Sequence, residues 1–217
     1  MNSRRGVIFD IDGTLVDTNY LHAIAWRRAF VDCGEDVATA RIHRMIGAGS
    51  EVLLRELLGD VRTDVKKGWR GHFDELKPEI RPFADAASLL RAVKERGATV
   101  VLASSSEQED VDALLAAIDA DDAIAEVTSA GDVSNAKPSP EVFQMAMDKA
   151  GLDPASTVAV GDTVWDVEAA ARAGLRCVCV LSGGIGQAEL DAAGALAVYP
   201  DVSTLLRDLD GSPLLGG

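Results

Sequence analysis

The chain has 217 residues, 47% of them hydrophobic and 26% charged, close to the average soluble globular protein; disorder over its bulk is excluded. Lys and Arg number 21 against 35 Asp and Glu, for a formal net charge of −14, and a negative field of that size opposes long nucleic acids and anionic membranes. A small anionic ligand remains allowed, because a local pocket can carry its own positive charge. The length suits one large domain, or a core domain with an insertion, that folds without a disulfide or metal staple. The cysteines Cys33, Cys177 and Cys179 show no regular framework and read as reduced thiols. No apolar run approaches the ~18 residues of a membrane span, and no secretory leader is expected ahead of the first apolar run. The expectation is a soluble cytoplasmic protein with no membrane or nucleic-acid partner.

In chain order, residues 7–9 form the first predicted strand. No convincing strand then follows as far as residue 81; helical periodicity dominates over 20–33, 39–46, 50–58 and 64–76, and Pro78 and Pro82 end it. Beyond it, strands are predicted at 98–103, 124–127, 157–160, 175–181 and 196–199, the second of these weaker than the rest. Helical patterns over 84–96, 108–118, 140–150 and 163–173 alternate with them, and Gly97, Gly151 and Gly174 mark helix ends. Most strands are continuously apolar, which suits strands covered on both faces. Cys177 and Cys179 would point the same way on one of them, among buried side chains. The predicted fold is α/β: a doubly wound, Rossmann-like parallel sheet core from residues 1–16 and 82–217, with an inserted all-helical cap domain over 17–81. The tail at 211–217 is expected to fray.

The first strand runs into Asp10-Ile11-Asp12-Gly13-Thr14-Leu15-Val16-Asp17. In an open parallel sheet this loop faces the ligand crevice, so Asp10 points into it and Asp12 can turn toward the same place. Two carboxylates this close repel unless a cation or a shared proton relieves them, and a divalent metal with oxygen ligands is the simple explanation. Gly13 would let the backbone approach a ligand. Asp17 fits an N-cap for the first helix of the insertion.

This run resembles the first motif of the haloacid dehalogenase superfamily, and the other motifs follow in register. Ser104 in Ser104-Ser105-Ser106 matches the family hydroxyl, Lys137 before Pro138 the family lysine, and Gly161-Asp162-Thr163-Val164-Trp165-Asp166 the acidic metal motif. The resemblance covers nearly the whole chain and implies a phosphatase. In it Asp10 is the nucleophile that forms an aspartyl-phosphate. Asp12 is the general acid and base, which needs a raised pKa or transient protonation as substrate docks. Mg²⁺ is held by Asp10, the carbonyl of Asp12 and Asp162. Asp166 is either a ligand, an orienter of a metal-bound water, or a first-turn dipole partner. Lys137 neutralises charge beside Asp10. Ser104 donates to a phosphate oxygen, helped by N–H groups near Ile11, Asp12 and Ser105.

Asp12 argues for a phosphate ester, since the family's dehalogenases lack that second aspartate. His22 and Trp26 also resemble the cap of the beta-phosphoglucomutase branch, whose cap arginine and post-motif lysine hold a second phosphate. Here Ser50 and Glu107 stand at those places, which disfavours that phosphate, although Arg44 or Arg55 offer other cations. The implied activity is hydrolysis of a small phosphorylated metabolite, phosphoglycolate-phosphatase-like; a sugar-phosphate mutase or a non-catalytic aspartyl-phosphorylated sensor are the alternatives. His22 is read as a substrate-binding or proton-transfer residue or a plain interface residue, and His43 and His72 as surface residues. Trp26 and Trp69 are read as core of the cap, Trp165 as a pocket wall, Ser106 as a helix N-cap and Gly183-Gly184 as a tight loop. Cap hinges are expected near 14–18 and 79–82.

Overall fold

Strands β1 (Gly6–Phe9), β2 (Thr99–Ala103), β3 (Ile124–Thr128), β4 (Thr157–Gly161), β5 (Arg176–Val180) and β6 (Ala197–Tyr199) join in one six-stranded sheet. The computed structural model describes residues 4–215 and orders the sheet β3-β2-β1-β4-β5-β6 with every pairing parallel. The register sets Ile8 of β1 level with Val101 on one side and Ala159 on the other. Successive side chains on each strand go to opposite faces. Val7, Phe9, Leu102, Val160 and Val178 therefore enter one apolar cluster, and Ile8, Val101, Ala103, Ala159, Cys177 and Cys179 the other. Two covered faces explain why the strand sequences are continuously apolar. The two buried cysteines lie side by side, sulfurs 4.0 Å apart. β3 reads weakly because it is an edge strand with Ala125 and Glu126 exposed.

Between β1 and β2 lie α1 (Asn19–Asp32), α2 (Thr39–His43), α3 (Ser50–Leu58), α4 (Thr63–Leu76) and then α5 (Ala86–Glu95). The first four form the predicted helical insertion, with its own apolar cluster around Trp26, Phe30, Ile42, Leu53, Leu54 and Val65. Its isolation is incomplete: Ala25, Phe73 and Leu76 belong to the cluster on the sheet. The chain enters and leaves the insertion side by side. Val16 bridges Pro82, Asp17 N donates to Arg81 O at 2.9 Å, and Phe83 N donates to Leu15 O at 2.9 Å. The remaining helices are α6 (Gln108–Ile118), α7 (Glu141–Ala150), α8 (Val164–Arg172), α9 (Gln187–Ala193) and α10 (Val202–Arg207). The last two are too short for a periodic pattern to stand out, and the sequence reading has no helix there.

Some expectations are corrected here. The tail is packed as far as Leu215: Ser212 is buried, Leu214 belongs to the sheet cluster and Leu215 packs against it, so apolar burial holds this segment. Gly216 and Gly217 lie outside the described residues. Asp17 is exposed and caps nothing; Thr18 occupies the N-cap position of α1, and its hydroxyl turns elsewhere. No helix among the described residues is long and apolar enough to cross a membrane.

One ion-pair cluster ties the insertion to the core. Asp110 on α6, 3% exposed, meets Arg70 of α4 at 2.5 Å and Lys77, just beyond α4, at 2.8 Å. A buried carboxylate needs such partners, and hydrogen bonds to charged groups contribute roughly 1.5–3 kcal/mol. Arg70 and Lys77 are part-exposed and can return to water once the partner is lost. Asp110→Ala is therefore expected to destabilise the fold by about 1–3 kcal/mol in urea unfolding, and an unchanged midpoint would show that the cluster holds nothing.

Candidate active site

β1 lies between β2 and β4, and the chain runs outward in opposite directions from there, so the carboxyl ends of these neighbours border the crevice of a doubly wound sheet. Asp10 directly follows β1, Ser104 follows β2 and Asp162 follows β4. Lys137 arrives from the loop ahead of α7 and is 1% exposed. Its ammonium donates to Asp10 Oδ1 and, at 2.7 Å, to Asp166 Oδ1. Asp166 sits in the first turn of α8, where its Oδ2 accepts from Thr163 N at 3.0 Å and Thr163 Oγ1 at 2.5 Å, closing a capping box. It is thus both helix-end acceptor and counter-ion of Lys137.

Asp10, Asp162 and Asp166 each bring a carboxylate oxygen within 4.8 Å of the others, all three buried. Burial pushes the Asp10 carboxyl up to about 8 despite the adjacent Lys137, with Asp166 and Asp12 adding to the rise. Burial and the charges of Asp166 and Asp10 raise Asp162 in the same direction, against hydrogen bonds from Thr14 at 2.8 Å and Asn19 at 2.7 Å. Burial opposes the charge on Lys137, but Asp10 and Asp166 hold it well above the usual lysine value. One ammonium among three carboxylates leaves surplus negative charge. Asn19 Oδ1, buried beside them, has no donor among the described residues. Hard oxygen donors, excess negative charge and an orphaned oxygen fit a divalent cation of the magnesium type.

Close backbone approach shapes this cluster. Gly13 lies at φ +79°, and a side chain there or at Gly183 would overlap the Asp162 carboxylate and the Asn19 amide. Gly13 N–H donates to Val16 O at 2.8 Å, and the residue supplies steric room and turn geometry here. Gly183, read as a tight loop, also accepts from Asn19 and from His43 at 2.8 Å. His43 is therefore no plain surface residue: it stacks on Tyr20 at 4.8 Å and joins insertion to core. His72 keeps its surface position, paired with Asp32 at 2.7 Å.

Asp12 has different surroundings. It accepts from Thr18 Oγ1 at 2.6 Å, Ser106 Oγ at 2.9 Å and Ser104 Oγ at 3.3 Å, and His22 Nε2 lies 3.3 Å away. Burial alone would raise its carboxyl, yet the partners His22, Thr18 and Ser106 outweigh it and bring it to about 2. The raised value required by the first of the two routes to an acid is absent. Ser106, predicted as an N-cap, donates here instead, and α6 starts with no side-chain cap. His22 lies flat on Phe73 at 4.1 Å and on Trp69 at 5.8 Å.

A cavity of about 90 Å³ opens over this cluster, with Asp10, Asp12 and Lys137 below and His22, Trp26 and Trp69 above. The two tryptophans, 4.9 Å apart, thus serve both the insertion's apolar interior and the cavity wall. A second cavity of about 250 Å³ adjoins, bordered by Arg55, Ser104 and Ser134. Ser50, Lys66, Ser105 and Glu107 line both. Trp165 lines neither; its Nε1 donates to Arg44 O at 3.1 Å, so it docks the insertion instead. Arg44 pairs with Glu189 away from the cavities, and Arg55 with Glu51 at 3.1 Å. Asn19, Thr14, Thr18 and Lys66 went unread in the sequence. The first three sit within ten residues of Asp10 and carry the polar atoms that hold Asp12 and Asp162, whereas nothing local marks Lys66.

The chain is similar to known proteins over most of its length. The profile of the haloacid dehalogenase-like hydrolases matches residues 7–180. A protein named CbbY from Rhodobacter capsulatus is 32% identical over 192 residues, covering 80% of this chain and 84% of its own length. A phosphoglycolate phosphatase from Aquifex aeolicus is 27% identical over 183 residues, covering 82% and 85%. The crystal structure of a hydrolase from Pseudomonas syringae superposes with a TM-score of 0.90 at 31% identity, covering 96% of this chain and 99% of that one. Matched by that profile over residues 7–180 and by a hydrolase structure over 96% of its length, the chain belongs to the haloacid dehalogenase-like hydrolase family.

Proposed function

We propose that the protein is a Mg²⁺-dependent phosphomonoesterase acting on a small phosphorylated metabolite through an aspartyl-phosphate on Asp10. The observation that carries this reading is the pairing of Asp10 with Lys137 inside a carboxylate cluster that opens on a cavity. Lys137 takes Asp10 Oδ1, and among the described residues nothing donates to Oδ2, the oxygen available to attack phosphorus. The ester P–O bond then breaks and the leaving oxygen takes a proton from Asp12. Water next attacks the aspartyl-phosphate and returns that proton to Asp12, releasing Asp10 and inorganic phosphate. Asp12 must therefore be protonated only briefly, and His22, 3.3 Å away, is the neighbour able to hand it the proton. Phosphate oxygens would meet Lys137, Ser104 and the N–H groups of Ile11, Asp12 and Ser105, which have no acceptor among the described residues.

Asp10, Asp162 and the carbonyl of Asp12 would hold Mg²⁺, with Asp166 anchored by Thr163 and Lys137 as a support behind them. The ion would supply charge neutralisation for the phosphoryl group. The helical insertion, residues 17–81, would act as a cap over the core of 1–16 and 82–217, closing on 14–18 and 79–82. Those crossings are joined by hydrogen bonds and would bend together. Hydrolysis is favoured over a mutase because Ser50 and Glu107 do face the cavity, where a second phosphate would need cations. A sensor would need neither a leaving-group acid nor a covered cavity. The charge and the phosphatase relatives suit a cytoplasmic enzyme.

Asp10→Asn is expected to abolish phosphate release from aryl phosphates; turnover at the native rate removes Asp10 from the role of nucleophile. Lys137→Met should cost roughly 10²–10³ in kcat, the scale for losing one preorganised charge-stabilising group. Adding Mg²⁺ to EDTA-treated protein should raise the melting temperature by mass action, and Asp162→Asn should lose that rise. A hexose 1-phosphate converted to an isomer without free phosphate would establish the mutase instead.

A further inference from the structure

Lys66 stands on α4 one turn before Trp69, so the helix carries both toward the same face, and both line the cavity over Asp10. It is part-buried, and among the described residues no carboxylate pairs with it. Most other cations near the insertion–core boundary are taken: Arg44 by Glu189, Arg55 by Glu51, Arg70 and Lys77 by Asp110. Across the cavities, from the core side, Glu107 is likewise unpaired, and it lies beyond ion-pair distance of Lys66 although both line the same two cavities. The hydroxyl residues Ser50 and Ser105 stand beside them, with no hydrogen-bond partner among the described residues. Two opposite charges that border one cleft without meeting leave room for a ligand group between them.

We propose that Lys66 is a specificity-determining residue: it selects phosphate esters whose leaving group ends in a single carboxylate, and Glu107 turns away a second phosphate. This rests on the phosphatase reading. With phosphorus at Asp10 and Lys137, the far end of a short ester reaches the region shared by the two cavities. There an ammonium offers a carboxylate a charge-assisted hydrogen bond, which Ser50 and Ser105 can supplement. A terminal phosphate would bring about two negative charges to the same place, next to Glu107, where like charges repel at close range. A neutral end would leave the lysine unpaired. The methylene carbon of the leaving group would pass beneath Trp26 and Trp69, whose apolar faces suit it.

The test uses four two-carbon esters that differ only in their far end: 2-phosphoglycolate (carboxylate), 2-hydroxyethyl phosphate (hydroxyl), O-phosphoethanolamine (ammonium) and ethylene glycol bisphosphate (phosphate). The native enzyme should prefer the carboxylate over the hydroxyl ester by roughly tenfold or more in kcat/KM, the scale of one charge-assisted contact. Lys66→Met should bring that ratio near one, chiefly through KM, while Lys66→Arg keeps most of it. Lys66→Glu should move the preference to the ammonium ester, and Glu107→Gln should raise the relative rate on the bisphosphate. Lys66 is part-exposed and outside the apolar clusters, so circular dichroism should show each variant folded. A carboxylate-to-hydroxyl ratio that Lys66→Met leaves unaltered overturns the assignment while hydrolysis of the esters upholds the phosphatase. No hydrolysis of these esters or of p-nitrophenyl phosphate brings down the phosphatase reading, and this proposal with it.

Discussion

Three carboxylates and one ammonium are buried together at the ends of adjacent strands, and much of the surrounding structure answers to that. Burying charge is costly unless each oxygen finds a partner. Thr14 and Asn19 hold Asp162, Thr163 and two backbone N–H groups hold Asp166, and Lys137 bridges Asp166 to Asp10. These bonds leave two negative charges of the cluster uncompensated, and burial together with that surplus displaces Asp10 and Asp162 upward. A site that favours an arriving cation, and holds a poised carboxylate until then, suits the proposed chemistry.

Asp12 illustrates how two neighbouring carboxylates acquire different characters. It lies two residues from Asp10, yet four hydrogen-bonding side chains turn toward it and none of them is a carboxylate. Asp10 sits at about 8 and Asp12 at about 2, a separation created wholly by surroundings. Thr18 and His22, which supply part of that environment, come from the start of the helical insertion, and Ser104 and Ser106 from the end of β2. The insertion is therefore structurally part of the site: movement of α1 would alter the partners of Asp12 directly.

The alternation of elements, the parallel sheet and the positions of Asp10, Ser104, Lys137 and Asp162 at strand ends or in adjoining loops were legible in the sequence. Each of these rests on short-range pattern: apolar runs of strand length, glycine at helix ends, acidic residues directly after a strand. The helices Gln187–Ala193 and Val202–Arg207 were not legible, because six or seven residues carry too little periodicity and tertiary contact stabilises them. The parts played by Ser106, Trp165 and His43 were misread for a related reason. Each has a common local role, as helix cap, wall or surface residue, and only long-range contact reveals the one it fills.

What the amino-acid order determined by itself is the kind of fold and the inventory of reactive groups, since strand and helix formation and the placement of a residue just after a strand are local matters. Tertiary structure alone decided which of those groups touch. The pairing of Lys137 with an aspartate 127 positions away, the stack of His22 on Phe73, and the placement of Lys66 and Glu107 on one cleft all join distant segments. Charge, burial and pKa depend on separation in space, and that separation exists only once the sheet has brought its strand ends together beneath the helices.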